Sequence, residues 1–420
     1  MDKAANDSLR VRCCIAGGGP AGMMLGFLLA RAGIEVAVLE KHADFLRDFR
    51  GDTIHPSTLE VIHELGLLED FLKRPHQEVR ELAGWIGDEV VTIADFSHLP
   101  TRCRFLAFMP QWDFLSFLAE HGRRYPTFQL IMEAEVVDVI EEDSRVVGCV
   151  AATRSGRVQI RAELVVAADG RHSTLRARSG LQADTFGAPM DVLWMRLPRV
   201  PADPTQTFGR IDAGKIFVMI DRGDYWQCGF VIPKGAFDDI KRRGMPAFRD
   251  DIAAIAPFLR DRVGELQDWE NIRLLTVLVD RLRQWFRPGL LCIGDAAHAM
   301  SPIGGVGINL AIQDAVAAAN ILAPRFAAGA PTTDDLQRVQ RRREFPTRVT
   351  QGVQLFIQNR VITRVLASRT RPAPPWPIRL LKRFPFLRRF PARAVGMGIR
   401  PEHVQTPEAG SSPPWRSAGP

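Results

Sequence analysis

Three glycines near the start of the chain stand at a spacing that can bind a phosphate. Gly17, Gly19 and Gly22 follow the pattern G-x-G-x-x-G, and Pro20 and Ala21 lie within it. In such a pattern the first glycine permits a tight turn, the second lets a pyrophosphate approach the backbone, and the third lets a helix pack closely on a strand. A phosphate would accept hydrogen bonds from the free N–H groups at the start of that helix. The spacing therefore predicts a dinucleotide-binding turn.

The elements around this turn have the order that such a site needs. Residues 11–15 are predicted to form a buried strand, residues 23–31 a helix and residues 35–39 a second strand. Glu40 follows the second strand, 18 residues beyond Gly22. A carboxylate at this place accepts hydrogen bonds from a ribose 2′-OH and disfavours a 2′-phosphate. The ordered set favours dinucleotide binding much more strongly than the glycines alone.

A second concentration of polar side chains lies in residues 50–60. Arg50, Asp52 and His55 are the candidates for catalytic residues here, with Asp52 and His55 able to serve as an acid or a base. A solvated loop is the alternative interpretation of the same composition.

The composition of the chain indicates which kinds of ligand and which cellular compartment to expect. The chain has 420 residues and a net charge of +7, which favours anionic ligands such as a nicotinamide dinucleotide, and no nucleic-acid-binding motif accompanies the charge. Its six cysteines have neither metal-ligand nor C-x-x-C spacing, so we expect no metal site and a reduced, cytoplasmic protein. We also expect neither a signal peptide nor a membrane span.

Two further motifs lie far from the first. Residues 169–176 read D-G-R-H-S-T-L-R, and residues 294–302 read G-D-A-A-H-A-M-S-P. Together with G-x-G-x-x-G, and in this order, they resemble the motifs of the group A flavoprotein monooxygenases, the family of para-hydroxybenzoate hydroxylase and the ubiquinone-pathway hydroxylases. The resemblance covers residues 11–322, roughly three quarters of the chain.

The resemblance implies that FAD, not NAD, occupies the dinucleotide site, with NADPH or NADH as a transient co-substrate. Glu40 would hold the adenosine ribose, and Asp295 would bond the ribityl chain. Arg50 and Gln111 would lie along the phosphates. The implied cofactor-binding residues are Gly17, Gly19, Pro20, Ala21, Gly22, Glu40, Lys41, Arg50, Gln111, Asp169, Gly170, Gly294, Asp295, Pro302, Gly305, Gly307, Ile308 and Asn309.

Elementary electrostatics agrees with the last part of this assignment. Gly305, Gly307 and Asn309 precede or begin a predicted Ala-rich helix. The positive end of the helix dipole would stabilise an anionic reduced flavin. Glycines at this place would let backbone amides approach the ring.

The activity that the resemblance implies is hydroxylation of an aromatic, polyketide-like or quinone-precursor small molecule with NAD(P)H and O2, through a flavin C4a-hydroperoxide. Two alternatives remain open. One is a reductase or dehydrogenase of the geranylgeranyl reductase kind, and the other is a flavin-binding protein without catalysis. A flavin-dependent halogenase is disfavoured, because Cys228 and Phe230 stand where the halogenase motif W-x-W-x-I-P has tryptophans.

The implied fold is α/β: a Rossmann-like FAD-binding domain of the para-hydroxybenzoate hydroxylase type, an inserted α+β substrate domain built on a β-sheet, and C-terminal helices. The predicted units are residues 1–180 (FAD-binding domain, with strands near 78–108 joining the substrate domain), 181–284 (substrate domain), 285–330 (return to the FAD-binding domain), 331–403 (helical region) and 404–420 (disordered tail).

One segment suggests a further contact. Residues 377–400 mix Leu, Phe and Ile with seven basic residues and contain prolines that break the segment into short pieces. Such an element can lie on an anionic membrane, and the alternative is a solvated surface packed over the FAD-binding domain. The expected partners are otherwise a small-molecule substrate, O2 and NAD(P)H, and the sequence gives no indication of the oligomeric state.

Overall fold

The computed structural model describes residues 8–46, 53–204 and 207–409, which form two large sheets, two small sheets and the helices that flank them. The strands are β1 Ser8–Ala16, β2 Val36–Glu40, β3 Thr53–Ile54, β4 Gln77–Val79, β5 Glu81–Ile86, β6 Glu89–Asp95, β7 Leu106–Phe108, β8 Phe128–Met132, β9 Glu135–Glu142, β10 Arg145–Thr153, β11 Gly156–Ala167, β12 Ala183–Thr185, β13 Met190–Pro198, β14 Phe208–Asp212, β15 Lys215–Asp221, β16 Tyr225–Pro233, β17 Arg273–Leu275, β18 Asp280–Leu282, β19 Phe286–Arg287 and β20 Leu290–Cys292. The helices are α1 Pro20–Arg31, α2 Pro56–Glu64, α3 Leu68–Leu72, α4 Gln111–Gly122, α5 Thr174–Arg178, α6 Phe237–Arg243, α7 Met245–Ile255, α8 Gly307–Ala328, α9 Thr333–Ile357, α10 Thr363–Ala367, α11 Trp376–Arg383 and α12 Arg389–Gly396.

The first large sheet has a parallel centre in the order β20-β11-β1-β2-β8, and β19, β10 and β9 extend it by antiparallel pairing. Successive residues of β1 point to opposite faces, so Cys13 and Ile15 pack with α1 and α8 while Cys14 and Ala16 belong to the core on the other side. Because both faces are covered, these strands are almost entirely apolar. The carboxyl ends of β1, β2, β11 and β20 therefore meet at one edge, where ligands of open α/β sheets bind.

Helix α8 runs through this core. Residues 303–328 are long and apolar enough to meet the composition of a membrane span, yet 72% of the most apolar window is buried inside the protein. We therefore interpret α8 as a core helix that packs against the first large sheet.

The second large sheet has the order β17-β13-β16-β15-β14-β5-β6, and its pairs are antiparallel except β14 with β5. Helices α6 and α7 cover one face through a core that includes Met195, Phe217 and Phe248. Of the strands within residues 78–108, β5 and β6 join this sheet, whereas β4 and β7 pair in a small sheet with β3. Strands β12 and β18 pair where the chain enters and leaves this region; the division at residues 180 and 284 stays a prediction.

The last described residues, 400–409, form what we call the C-terminal strap, which lies along α1, α2 and α8. Arg31 donates a hydrogen bond to the carbonyl of Thr406 at 2.9 Å and accepts one from the N–H of Ala409 at 2.8 Å. The N–H of Val404 donates to Glu64 at 2.7 Å. The prediction of disorder from residue 404 is therefore wrong for residues 404–409, because backbone and side-chain hydrogen bonds hold them. The rest of the predicted tail lies outside the described residues.

Candidate active site

The turn after β1 requires glycine for steric reasons at two positions and leaves space at a third. Gly17 has a φ of +105°, and a Cβ there would lie 2.3 Å from the carbonyl oxygen of Ala168. A Cβ on Gly22 would lie 1.9 Å from the carbonyl oxygen of Gly17. At Gly19, by contrast, a Cβ would meet no atom of the described residues within 4 Å. We call residues 16–40 the dinucleotide turn, and its open side is at its middle glycine.

The start of α1 faces that open side with unpaired donors. Gly19 is the N-cap and offers no side-chain cap, Pro20 stands at the first position, and no acidic residue lies in the first turn. The first N–H groups of a helix have no intrahelical partner, so those of Ala21 and Gly22 remain donors at the positive end of the dipole. A proline at the first position sacrifices no hydrogen bond. This arrangement suits a pyrophosphate.

Glu40 ends β2 beside the turn and is only 9% exposed. Its carboxylate accepts a hydrogen bond from the N–H of Gly18 at 3.0 Å and one from the N–H of His42 at 3.1 Å. An ionised carboxylate has about four acceptor sites, so ribose hydroxyls can share it with these amides. Lys41, the next residue, is exposed, and Gln111 begins α4, which packs on α1.

Asp169 and Gly170 follow the carboxyl end of β11. The Oδ2 atom of Asp169 accepts from the N–H of Thr174 at 2.8 Å and from that of Leu175 at 3.3 Å, which fixes the turn into α5. Its Oδ1 atom is buried and has no hydrogen-bond partner in the described part of the chain. Burial raises the pKa of Asp169 above its usual value, although the hydrogen bonds act in the opposite direction. An unsatisfied carboxylate oxygen in this position can receive a hydroxyl of a bound cofactor.

Two arginines tie this turn to residues 294–296. Arg171 contacts the carboxylate of Asp295 at 3.3 Å, and both side chains are partly exposed. Arg176 donates to the carbonyl of Arg171 at 2.7 Å and pairs with Asp280 at 3.2 Å. The same guanidinium reaches the carbonyl of Ala296 at 3.4 Å. These contacts tie the conformation of residues 169–176 to that of residues 294–296.

Gly294 shows where the separate motifs meet. A Cβ on Gly294 would lie 3.2 Å from the Cβ of Ala21 in α1 and 3.2 Å from the Cβ of Ala311 in α8. A Cβ on Gly17 would lie 2.9 Å from the Cα of Asp169. The dinucleotide turn, residues 169–170, residues 294–295 and the start of α8 therefore form one site.

Residues 294–309, which we call the flavin loop, end at the start of α8. Gly304 and Gly305 have φ angles of +77° and +61°, and a Cβ on Gly305 would lie 2.9 Å from Oγ1 of Thr53. No side chain of the described residues caps α8, so the N–H groups of Gly307, Ile308 and Asn309 stand at an uncapped positive end. Pro302 precedes the 3-10 turn that carries the two glycines.

The side chain of Asn309 clamps the flavin loop to the segment before α2. Its Oδ1 accepts from the N–H of His55 and from Oγ1 of Thr58, both at 2.8 Å. Its Nδ2 donates to the carbonyl of Thr53 at 3.0 Å and to that of Gly305 at 3.3 Å. The amide group is thus fully used within the protein, and the backbone N–H is what Asn309 offers to a cofactor.

His55 is buried at the N-cap of α2, and its ring Nδ1 lies 2.7 Å from the carbonyl of Val395 in α12. Burial lowers the pKa of His55 to about 4, because the hydrogen bonds to backbone carbonyls compensate only in part. The imidazole is therefore neutral at pH 7 and donates from Nδ1. His55 thus positions α2 against α12 and the flavin loop, and its predicted acid–base role stays a prediction.

A buried charge network fixes the other side of the flavin loop. Asp314 in α8 is fully buried and accepts from the N–H of Gly294 at 3.1 Å, from Nε2 of His298 at 2.6 Å and from Nε of Arg343 at 3.0 Å. Burial alone would raise the pKa of Asp314, but His298 and Arg343 outweigh it and lower that pKa. Arg343 also pairs with Glu402 of the C-terminal strap at 3.2 Å. The network couples the loop to α9 and to the strap.

Apolar side chains on one face of the second sheet, which we call the slot, pack against the flavin loop. Trp194 of β13 packs against two apolar clusters, one of which contains Val192, Val231 and, from the flavin loop, Ile303. A Cβ on Gly229 would lie 3.1 Å from the indole ring, so this glycine gives the ring its space. The wall beside the flavin loop is thus apolar and aromatic.

Comparison with known proteins agrees with this site. A family model described as an FAD binding domain matches residues 10–353. The 6-methylpretetramide 4-monooxygenase of Streptomyces rimosus is 34% identical over 318 residues, covering 75% of this chain and 76% of that protein. This chain belongs to the group A FAD-dependent monooxygenases.

Two further similarities concern length and fold. A rifampicin monooxygenase of Rhodococcus hoagii is 29% identical over 315 residues, 72% of this chain, and this chain spans only 61% of that relative's length. The crystal structure of p-nitrophenol 4-monooxygenase PnpA from Pseudomonas putida DLL-E4 superposes with a TM-score of 0.74 at 20% identity, over 92% of this chain and 97% of that one. The predicted family, α/β fold class and FAD cofactor are confirmed.

FAD fits the residues present. The open backbone at Gly19, the uncapped starts of α1 and α8, and the unsatisfied Oδ1 of Asp169 supply donors and an acceptor along one groove. The individual assignments of cofactor-binding residues stay predictions. Arg50 and Asp52, predicted as catalytic residues and Arg50 also as a cofactor ligand, lie outside the described residues.

Sequence reasoning missed the residues that support the site from a distance. Arg171, Arg176, Asp314, Arg343 and Glu402 were not predicted, although the second of these closes the motif D-G-x-x-S-x-x-R. The available signal was the aspartate inside the apolar helix α8, since charged residues are almost never fully buried without a partner. Arg343 lies among several other arginines of α9, and nothing in the sequence distinguishes it from them.

Proposed function

We propose that this monooxygenase hydroxylates an aromatic, polyketide-like or quinone-precursor small molecule with NAD(P)H and O2. The observation that carries the proposal is the packing of Ile303, in the flavin loop, on the same apolar cluster as Trp194. A substrate that lies between them would contact an indole and branched aliphatic side chains, which suits a flat apolar molecule. The similarity to a 6-methylpretetramide monooxygenase supports the polyketide-like class.

Reduced FAD, when bound, supplies the chemistry that activates O2 and transfers one oxygen atom to the substrate. The residues of the chain bind the cofactor and orient it. The dinucleotide turn and Glu40 would hold the adenosine and pyrophosphate half. The N–H groups at the start of α8 would stabilise negative charge on the reduced ring through the helix dipole.

Exclusion of water is the second task of the protein. Val192, Val231 and Val277 are buried in the apolar cluster that packs on the flavin loop, and Trp194 packs on this cluster and on the neighbouring one. An apolar wall protects a reactive oxygen species from water. Because His55 is neutral and bonded to Val395, we assign no proton transfer to it. The six buried free cysteines support a reducing, cytoplasmic environment.

The test is a stoichiometry. FAD-loaded protein is given NADH or NADPH with a panel of phenols, quinones and polycyclic aromatic compounds, and the consumption of nicotinamide and O2 is measured together with hydroxylated product. We expect at least one compound to stimulate NAD(P)H oxidation and to give NAD(P)H, O2 and product in equal amounts. Oxidation without O2 uptake, or O2 converted only to H2O2 with every compound, would contradict the proposal.

Two variants test whether the substrate binds at the slot. Trp194→Leu removes the aromatic wall and is expected to raise KM for the hit compound by about tenfold, since aromatic contacts with buried area contribute on that order. Trp269→Leu, in the core on the other face of the sheet, is the matched control and should leave KM unchanged.

A further inference from the structure

The outer side of the C-terminal helices exposes large aromatic side chains. Trp376 is 70% exposed, Phe386 58% and Phe390 68%. Leu380 and Phe384 are also exposed on the same stretch. We call residues 376–393 the C-terminal surface. Single exposed apolar residues are common, but several within one short segment mark an interaction site.

The same surface is strongly basic. It carries Arg379, Lys382, Arg383, Arg388, Arg389 and Arg393, and the chain has no Asp or Glu from residue 372 to residue 400. Lys382 pairs with Glu89 of the neighbouring strand at 2.6 Å. None of these cations can pair with a carboxylate of its own segment, because the segment has none.

The inner side of the surface is docked on the protein. Ala392 and Gly396 of α12 are buried, and a Cβ on Gly396 would lie 2.8 Å from Cδ1 of Leu99. The carbonyl of Val395 accepts the hydrogen bond of His55. The exposed aromatic residues are therefore held on an ordered element, and they do not arise from a loose terminal segment.

Cations and aromatic rings share one groove at this surface. Its volume is about 280 Å³, and it lies between α12 and the turn after β6. Arg389 reaches His98 at 3.4 Å, and Asp95 lies 3.6 Å from the same imidazole and accepts from Ser97. The lining residues are Asp95, His98, Leu99, Pro100, Phe386, Arg389, Phe390 and Arg393.

We propose that the C-terminal surface binds an anionic lipid bilayer. Trp376, Phe386 and Phe390 insert at the level of the headgroups, where aromatic side chains are favoured, while Arg389 and Arg393 contact lipid phosphates in the groove. Each basic residue near an anionic surface adds attraction that salt screens. Two signals, apolar insertion and charge, act together on one surface.

Charge selects the bilayer over a second copy of the chain. A two-fold interface through this surface would bring two copies of the same basic patch together, since such an interface is formed by identical patches. The segment from residue 372 to residue 400 has no acidic residue, and the neighbouring Asp95 and Glu89 already contact His98 and Lys382, so the copies would repel. A bilayer offers both negative charge and an apolar interior.

The position of the surface links it to the slot around Trp194. Val395, on the inner side of α12, packs on the same apolar cluster as Trp194. If the proposed function holds, the bilayer-facing helix also borders the substrate wall, so a lipophilic substrate held in the membrane would meet the enzyme there. The lipid binding itself does not depend on that function.

Co-sedimentation with vesicles tests the proposal on the full FAD-loaded chain. Vesicles of phosphatidylcholine alone and of equal parts phosphatidylcholine and phosphatidylglycerol are compared at low salt and at about 0.5 M NaCl. We expect binding to the anionic vesicles at low salt, at least about tenfold weaker binding to the neutral ones, and marked loss at high salt.

Two double variants separate the contributions. Phe386→Ser with Phe390→Ser should lower the partition coefficient by about tenfold or more, and Arg389→Gln with Arg393→Gln should weaken binding to the anionic vesicles at low salt by about tenfold or more and lower its salt dependence. The control is Leu274→Ser, an exposed apolar residue of the second sheet, which should leave binding within about twofold of the original chain. FAD content and thermal unfolding verify that each variant folds.

Several outcomes would overturn the proposal. These are no binding to anionic vesicles at low salt, equal binding by the double phenylalanine variant, or equal loss in the control. Tighter binding to a single-stranded oligonucleotide than to vesicles, or a dimer that dissociates on Phe390→Ser, would assign the surface to another partner. Each of these results is measured independently of hydroxylation.

Discussion

The dinucleotide turn and the flavin loop lie in one groove but are stabilised in different ways. The turn consists of contiguous residues 16–40, and its shape follows mainly from contacts within them, such as the close approach of Gly22 to the carbonyl of Gly17 and the hydrogen bond from Gly18 to Glu40. The contact of Gly17 with Ala168 is the long-range exception. The flavin loop is held by side chains from distant parts of the chain, through Asn309 and Asp314. Local sequence thus forms the proposed adenosine end, whereas long-range hydrogen bonds form the proposed ring end. The ring end is the part that must be matched to a substrate.

The largest effect is expected from a substitution that disrupts the dinucleotide turn. Gly22→Ala places a Cβ 1.9 Å from the carbonyl oxygen of Gly17, so the turn must open. We expect loss of FAD from the purified protein and a loss of more than about 3 kcal/mol in the free energy of unfolding. The control is Gly352→Ala in α9, where a Cβ meets no described atom within 4 Å and alanine favours the helix by about 1 kcal/mol. Equal behaviour of the two variants would contradict the steric account.

The next largest effect is expected from a substitution that disrupts the hydrogen bonds of the flavin loop. Asp314→Asn removes a charge that Arg343 and the N–H of Gly294 both use. We expect the free energy of unfolding of the FAD-free protein to fall by about 3–5 kcal/mol, the usual cost of breaking a buried ion pair. Asp334→Asn, exposed in the first turn of α9, should cost less than about 1 kcal/mol. Urea unfolding distinguishes the two, and a loss as small as that of the control would show that the network is not coupled to the loop.

A third effect depends on pH. The pKa of His55 is lowered from 6.5 to about 4 in the fold, so the unfolded chain binds a proton first as the pH falls. The stability associated with neutral His55 is present above about pH 6.5 and is lost as the pH falls toward 4, by roughly 3 kcal/mol. The original chain should therefore lose more stability between pH 7.5 and 4.5 than His55→Gln does. Equal losses in urea unfolding would contradict the burial of a neutral imidazole.

The smallest effect is expected from the loss of a single hydrogen bond, either at the flavin loop or beside α1. Thr58→Val removes one hydrogen bond to Asn309 and Thr127→Val one to the carbonyl of Ala30, and each should cost about 1 kcal/mol. Only the first lies at the flavin loop. We therefore expect Thr58→Val alone to shift the flavin absorption spectrum and to speed FAD dissociation. The same spectral change in both variants would remove the distinction between the two ends.

The same contrast explains what could be predicted from the sequence. The βαβ unit around Gly17 is local, so spacing and periodicity predict its strand, turn and helix, and the family motifs predict the cofactor. The pairing of β14 with β5 joins residues about 120 positions apart, and no local pattern encodes it. Residues 404–409 of the strap were predicted to be disordered from composition, yet Thr406 and Ala409 bond to Arg31. The polar composition of a segment does not show whether residues elsewhere in the chain form hydrogen bonds with it.

The surroundings of His55 could not be derived from the sequence for a related reason. A histidine in a polar loop suggests an acid or a base, but its chemistry depends on burial and on partners from other segments. Those partners, Val395 and Asn309, lie more than 200 residues away along the chain. The polar composition of residues 50–60 singled out His55, but its hydrogen-bond partners could be identified only from the fold.

Affinity of the FAD-free protein for ADP and for FAD tests the central claim most directly. ADP reports on the dinucleotide turn alone, and FAD reports on the turn together with the flavin loop. Titration calorimetry on the original chain and on Asp314→Asn should show ADP affinity unchanged and FAD affinity weakened by about tenfold or more, which corresponds to about 1.4 kcal/mol. An equal loss of affinity for both ligands, or for neither, would contradict the division of the groove into a local and a long-range end.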